Sequence, residues 1–280
     1  MLFKGRRQST NVDDRRGISG GGLAVGGGVI GVIVLLINFF LGGGDASQLP
    51  QTLPGGGSPE MSAEQKAAED ELAEFVRVTL ADTEDVWNSL LGQSEYQEPT
   101  LVLFRRSTES ACGYASHASG PFYCPADQQV FIDLSFYDDL KNRFNVTGDF
   151  AMAYVIAHEV GHHVQYLMGT TEKMARARQQ LSETEYNQLS VKLELQADFY
   201  AGIFAHHNQK INRAIEAGDI DEALNAANAI GDDNLQRQSQ GHVVPDAFTH
   251  GTSEQRMYWF KKGYQTGDVR QGDTFSASDL

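Results

Sequence analysis

The hydrophobic pattern changes period several times along the chain, and each change predicts an element. Residues 23–41 (LAVGGGVIGVIVLLINFFL) show no amphipathic period, since every position but Asn38 is apolar or glycine. From Ala68 the apolar positions Leu72, Phe75, Val76, Leu80, Val86, Trp87, Leu90 and Leu91 recur at three- and four-residue intervals. That spacing predicts one long amphipathic helix, capped by Ser62. Residues 100–104 and 129–136 are β-branched and aromatic runs separated by turns at Gly120-Pro121 and Pro125, so they predict strands. Helical spacing resumes at Asp149, passes Ala151 and Val155 to Met168, stops at Gly169, and returns from Thr171 to about His207. A helix, a small mixed sheet and then several helices predict an α+β fold rather than an alternating parallel one.

The apolar stretch differs from a core helix. No charged residue stands between Gly17 and Gly44, and the length suffices to cross a hydrocarbon layer of about 30 Å. Gly20–Gly22 and Gly26–Gly28 would weaken a helix in water but are tolerated in lipid. A cleaved secretory signal has a shorter apolar core and a small-x-small site, which Asp45-Ala46-Ser47 matches poorly. Residues 18–41 are therefore expected to be a transmembrane signal anchor. The basic residues Lys4, Arg6, Arg7, Arg15 and Arg16 make residues 1–17 a cytoplasmic tip under the positive-inside tendency. Residues 42–60, rich in Gly, Pro, Ser and Gln, read as a tether, and residues 61–280 as one folded domain. The expected location is the cell membrane, single-pass, with the domain periplasmic or extracellular.

Charge sharpens this division. The chain of 280 residues carries a net −15, while residues 1–17 carry +3, so the remainder carries −18. An acidic domain is a poor partner for phosphate backbones, and no nucleic-acid partner is expected. Cys112 and Cys124 lie twelve positions apart in the part expected outside the cytoplasm, where a disulfide is the default. The rival, a metal site of Cys112, His117 and Cys124, needs thiolates kept reduced in an oxidising compartment.

Within the helix predicted from Asp149 stands AHEVGHHVQ, in which His158, Glu159 and His162 satisfy H-E-x-x-H. Two histidines four residues apart project from one helical face, as a shared metal ion requires. Glu159 is placed to take a proton from a metal-activated water without being a ligand. Hydrolytic zinc sites usually have three protein ligands. Glu194 in LELQADFYAG is the strongest third candidate, with Asp198 at i+4 to hold the distal nitrogen of a ligand histidine. The exchanged roles, with Asp198 as ligand, remain open at this level. His117, His163, His206, His207 and His242 read as ordinary structural histidines.

HEVGHHVQ and ELQADFYAG, with CG and GPFYCPADQQVFIDLSF before them and FTHGTSEQR and MYWFKKGYQTGD after, resemble the bacterial family of neutral zinc metallopeptidases. These are membrane-anchored proteins related to the thermolysin-like zincins. The resemblance extends over nearly the whole chain, including the basic start, glycine-rich span and tether. It implies a zincin-like domain, a Zn2+ cofactor held by His158, His162 and Glu194, Glu159 as general base and acid, and Asp198 as partner of a ligand histidine. The family's usual small or cysteine residue after the Ala-Asp pair is Phe199 here.

A tetrahedral oxyanion calls for a further donor, and His250 is the candidate, with Arg256 and Tyr200 behind it. By analogy with zincins, residues 129–136 would align an extended substrate by edge pairing. Residues 218–233 (GDIDEALNAANAIGDD) read as a solvated helix with acidic caps. The leading expectation is a membrane-anchored zinc endopeptidase acting on protein or peptide substrates. The alternative is a catalytically weak or inactive zinc-containing envelope scaffold. Glu159 separates them, because a purely structural zinc site has no use for a general base.

Overall fold

A computed structural model describes residues 1–17 and 62–277. The first element is not the one the sequence pattern led us to expect. Val12–Asp14 forms strand β1, paired in parallel with β2 (Thr100–Phe104). Residues 1–17 are thus part of the folded domain rather than a separate tip. The physical reason is charge matching, since the arginines that resembled a topogenic cluster meet acids of the following helix. Arg6 binds Asp82, and Arg7 binds Glu84 and Asp85. The expected anchor, 18–41, and the tether, 42–60, lie outside the described residues. Among the described residues, no helix is long and apolar enough to cross a membrane.

Helix α1 (Ala63–Leu91) begins where predicted, with Ser62 and Gln65 forming a reciprocal capping box. Its apolar face buries Phe75, Val76, Leu80, Val86 and Trp87. Strands β2 and β6 (Gln129–Asp133) run parallel at the centre of a sheet ordered β1-β2-β6-β5, with β5 (Phe122–Cys124) antiparallel at the far edge. Strand β6 ends at Asp133, three residues short of the predicted run, because Phe136–Asn142 turns into helix α2. A separate hairpin, β3 (Ser107–Ser110) and β4 (Gly113–Ser116), leaves the sheet, and Cys112 at its turn is disulfide-bonded to Cys124.

Helix α3 (Phe150–Leu167) carries the His-Glu-x-x-His motif and is apolar on nearly every side. Such a helix belongs in the middle of a fold, and α3 accordingly lies among α1, α5 and α6. Gly169 stops it in the left-handed conformation at φ 75°. The helical tract expected from Thr171 to His207 is divided into α4 (Thr170–Arg178) and α5 (Glu183–Ile211). Ser182 starts the second with its own capping box. Residues 218–233 likewise divide into α6 (Asp219–Ala229) and the start of α7 (Asp232–Gln240). The last helix, α8 (Ser253–Thr266), packs closely along α5. A β-carbon at Gly202 would fall 2.1 Å from the Phe260 carbonyl oxygen, and one at Gly263 2.1 Å from that of Phe199. Only glycines let the two backbones approach this closely.

Candidate metal centre

The site is made where α3 crosses α5. Gly161, between the two motif histidines, lies against α5, and a β-carbon there would stand 3.1 Å from the Ala197 carbonyl oxygen. This close crossing brings Glu194 opposite the histidines. Its Oε2 is 3.1 Å from His158 Nε2 and 3.5 Å from His162 Nε2. The donor atoms of these residues all lie within 4.8 Å of one another. Tetrahedral zinc with bonds of about 2.0–2.1 Å separates its donors by about 3.3 Å. Spacing and chemistry, two imidazoles and a carboxylate, therefore both fit zinc.

The outer nitrogen of each histidine is engaged. His158 Nδ1 lies 2.9 Å from Asp198 Oδ1, and with that nitrogen engaged Nε2 is the one left to face Glu194 and a metal ion. Asp198 is fully buried and also accepts from the Tyr154 hydroxyl at 2.5 Å. Arg256 grips it twice, Nε to Oδ2 at 2.8 Å and Nη2 to Oδ1 at 3.0 Å. Burial works to raise the Asp198 pKa, but Arg256 and His158 overcome it and hold the carboxyl at about 2. With these partners Asp198 backs His158 and stands outside the group formed by His158, His162 and Glu194, so the exchanged ligand roles find no geometric support. His162 Nδ1 meets Gln165 Oε1 at 2.8 Å, and the Gln165 amide reaches the Leu193 carbonyl on α5 at 2.7 Å. Gln165 has no role in the sequence reading, although its i+3 spacing from His162 put it within reach.

Glu159 is buried beside these groups, and its Oε2 has no hydrogen-bond partner among the described residues. Burial raises its pKa above the ordinary carboxyl value, with His158 and His162 pulling the other way. It lines a cavity of about 180 Å³ together with His158, His250 and Arg256. The apolar walls of that cavity are Val155, Phe136, Phe144, Ile230 and Leu235.

His250 is held by a residue the sequence reading treated as a helix cap. Asp232, at the start of α7 and buried, accepts from the main-chain N–H groups of Thr249, His250 and Gly251 at 2.7, 2.7 and 3.1 Å. Its other oxygen faces His250 Nδ1 at 3.2 Å. Burial works to lower the His250 pKa, but the charges of Glu194 and Asp232 raise it above the ordinary histidine value. Nothing in the eighteen-residue separation of Asp232 and His250 announces this pairing. Arg256 acts on Asp198 rather than on His250, and Tyr200 is elsewhere, its hydroxyl on Met168 Sδ at 3.5 Å and its ring edge-on to Trp87.

The remaining candidates separate cleanly. The disulfide removes the alternative metal site of Cys112, His117 and Cys124, and His117 instead meets Ser135 Oγ at 2.8 Å. His163 lies between the Tyr123 hydroxyl and the Gln97 carbonyl, while His206 and His207 meet the Tyr264 and Gly267 carbonyls. A second carboxylate group, Asp149, Asp219 and Glu222, is satisfied internally by the Met1 nitrogen and the Phe150 N–H. The expected edge pairing along β6 is also redirected. Residues 129–131 are flanked by β2 and β5, so the outer strand on this side of the sheet is β5.

Residues 1–275 match a family model described as "Putative neutral zinc metallopeptidase". "Uncharacterized protein YpfJ" of Escherichia coli strain K12 is 48% identical over 289 residues, covering 99% of this chain and 100% of its own length. "Uncharacterized protein Rv2575" of Mycobacterium tuberculosis and "Uncharacterized protein Mb2605" of Mycobacterium bovis are each 40% identical over 205 residues, covering 70% of this chain and 68% of theirs. No solved structure matches.

Proposed function

We propose that this chain, which belongs to the neutral zinc metallopeptidase family, hydrolyses peptide bonds with Zn2+ held by His158, His162 and Glu194. The observation that carries the reading is the convergence of those three donors beside a buried, unpartnered Glu159 oxygen that lines an apolar cavity. When bound, zinc supplies a Lewis acid for the scissile carbonyl and lowers the pKa of water. Glu159 then takes the proton of the attacking water at Oε2 and passes it to the leaving amine. Its raised pKa suits both halves of that transfer. His250, oriented by Asp232, donates from Nε2 to the oxygen on which negative charge develops. Asp198 and Arg256 keep His158 in the tautomer that ligates through Nε2.

Val155, Phe136, Phe144, Ile230 and Leu235 suit an apolar substrate side chain next to the cleaved bond. Residues 23–41 attach the enzyme to a bilayer in this reading. The test is Glu159→Gln in the full chain, assayed by zinc content and by profiling of peptides released from a proteome. Retained zinc with lost hydrolysis supports the reading, whereas retained zinc with unchanged products points to the scaffold alternative.

A further inference from the structure

A single membrane span between residues 17 and 62 and the observed fold make opposite demands on residues 1–17. The span puts them across the bilayer from the domain. In the fold they are one of its components. Strand β1 pairs Val12 with Leu101, Asp13 with Val102 and Asp14 with Leu103, and the Leu101 N–H donates to the Asn11 carbonyl at 2.8 Å. The domain side is built to receive this segment. Asp82 and Glu84 on α1 are each only 2% exposed. Asp82 takes both Arg6 guanidinium nitrogens, at 2.8 and 2.6 Å, and Glu84 is bound by Arg7, Ser9 and Asn11. Without residues 1–17 two carboxylates shaped into a buried face would lose their cationic partners. Phe3 meets Phe75 edge-on at 5.2 Å, and the Met1 side chain joins the core.

A strand cannot hydrogen-bond to its neighbour through a hydrocarbon layer of about 30 Å. We propose that residues 1–17 are a clasp of the peptidase domain in the same compartment, so that the chain leaves the fold at Gly17 and re-enters it at Ser62 on one side of any membrane it touches. The positive-inside tendency does not oppose this arrangement, because Arg6, Arg7 and Arg16 are matched by Asp82, Glu84 and Asp14 rather than left free. The inference is independent of the peptidase reading.

The test uses the full chain in bacterial cells, with exposed Gln8 or exposed Lys261 replaced singly by cysteine and probed with a membrane-impermeant maleimide. The native cysteines are joined and do not react. Both positions labelled, or both protected until lysis, is the expected result; one labelled and one protected overturns the proposal. A second measurement places a site-specific protease sequence between Gly57 and Ser58. After cleavage of the purified protein in detergent, the N-terminal fragment should remain with the domain and be released at least tenfold faster when Arg6 and Arg7 are both changed to Glu. Immediate loss of the unaltered fragment also overturns it.

Discussion

Asp232 holds His250 at two places at once, its Oδ2 on the histidine's main-chain N–H at 2.7 Å and its Oδ1 facing the ring nitrogen Nδ1 at 3.2 Å. The position of the ring is thereby set by one carboxylate. Changing His250 to Ala should lower kcat by about 10²–10³-fold, the usual cost of one oxyanion donor, while zinc content stays constant. Asp232→Asn should give a smaller loss and shift the alkaline limb of the pH–kcat profile. Zinc content falling in step with activity in His250→Ala would remove the donor role.

Glu159 carries the proton in the proposed reaction, and general acid–base catalysis is worth about 10²–10⁴-fold. Glu159→Gln should therefore lose activity on that scale at unchanged zinc stoichiometry. Chelation of wild type should abolish hydrolysis, with recovery on adding Zn2+. Recovery by metal in the Gln variant would contradict the assignment.

In the proposed site Asp198 would support the metal through His158, whose Nδ1 lies 2.9 Å from its Oδ1. Asp198→Asn should weaken zinc affinity by about 10–100-fold, measured by competition with a chromophoric chelator. The loss of a buried partner for Arg256 should also lower Tm.

The α5–α8 crossing admits no β-carbon at Gly202 or Gly263. Each Gly→Ala change should destabilise the protein by about 1–3 kcal/mol or more through overpacking. Denaturant midpoints of the two single variants, compared with an Ala substitution at exposed Lys261, test this directly.

Asp14 gives the clasp a pH dependence. Its hydrogen bonds with Arg16, joined by Arg77, hold the carboxyl at about 2, below its ordinary value. A depressed carboxyl contributes its stabilisation fully above the unfolded value of about 3.9 and loses it as pH falls toward the folded value. Arg16 leaves with Asp14 and only the Arg77 bond is broken on release, so release of the nicked N-terminal fragment should accelerate modestly between about pH 4 and pH 2, and Asp14→Asn should flatten that part of the profile.

Much of this arrangement was legible in the residues because it is local. The Ser62 cap, the helical stretch ending at Gly169, and the His158, Glu159 and His162 face are all determined by spacing along one element. Glu194 and Asp198 could be proposed because two acids on one helical turn within an apolar segment are costly unless they have partners. The pairing of Asp232 with His250 is different, since it depends on how a turn between α6 and α7 meets the loop before α8, and no periodicity encodes that meeting. The docking of residues 1–17 onto the domain went unforeseen for a related reason. A run of arginines looks the same whether its counter-charges are lipid headgroups or the side chains of Asp82 and Glu84, which lie some seventy-five positions onward.

Strand β2 reads Thr-Leu-Val-Leu-Phe, and its last four side chains are buried. One of its edges is taken by β6 and the other by β1. A chain in which β1 has not yet docked, during synthesis or after proteolysis ahead of Ser62, presents that second edge as a ready template for a strand of another molecule. Residues 1–17 thus cover an edge that would otherwise be open to pairing with another chain.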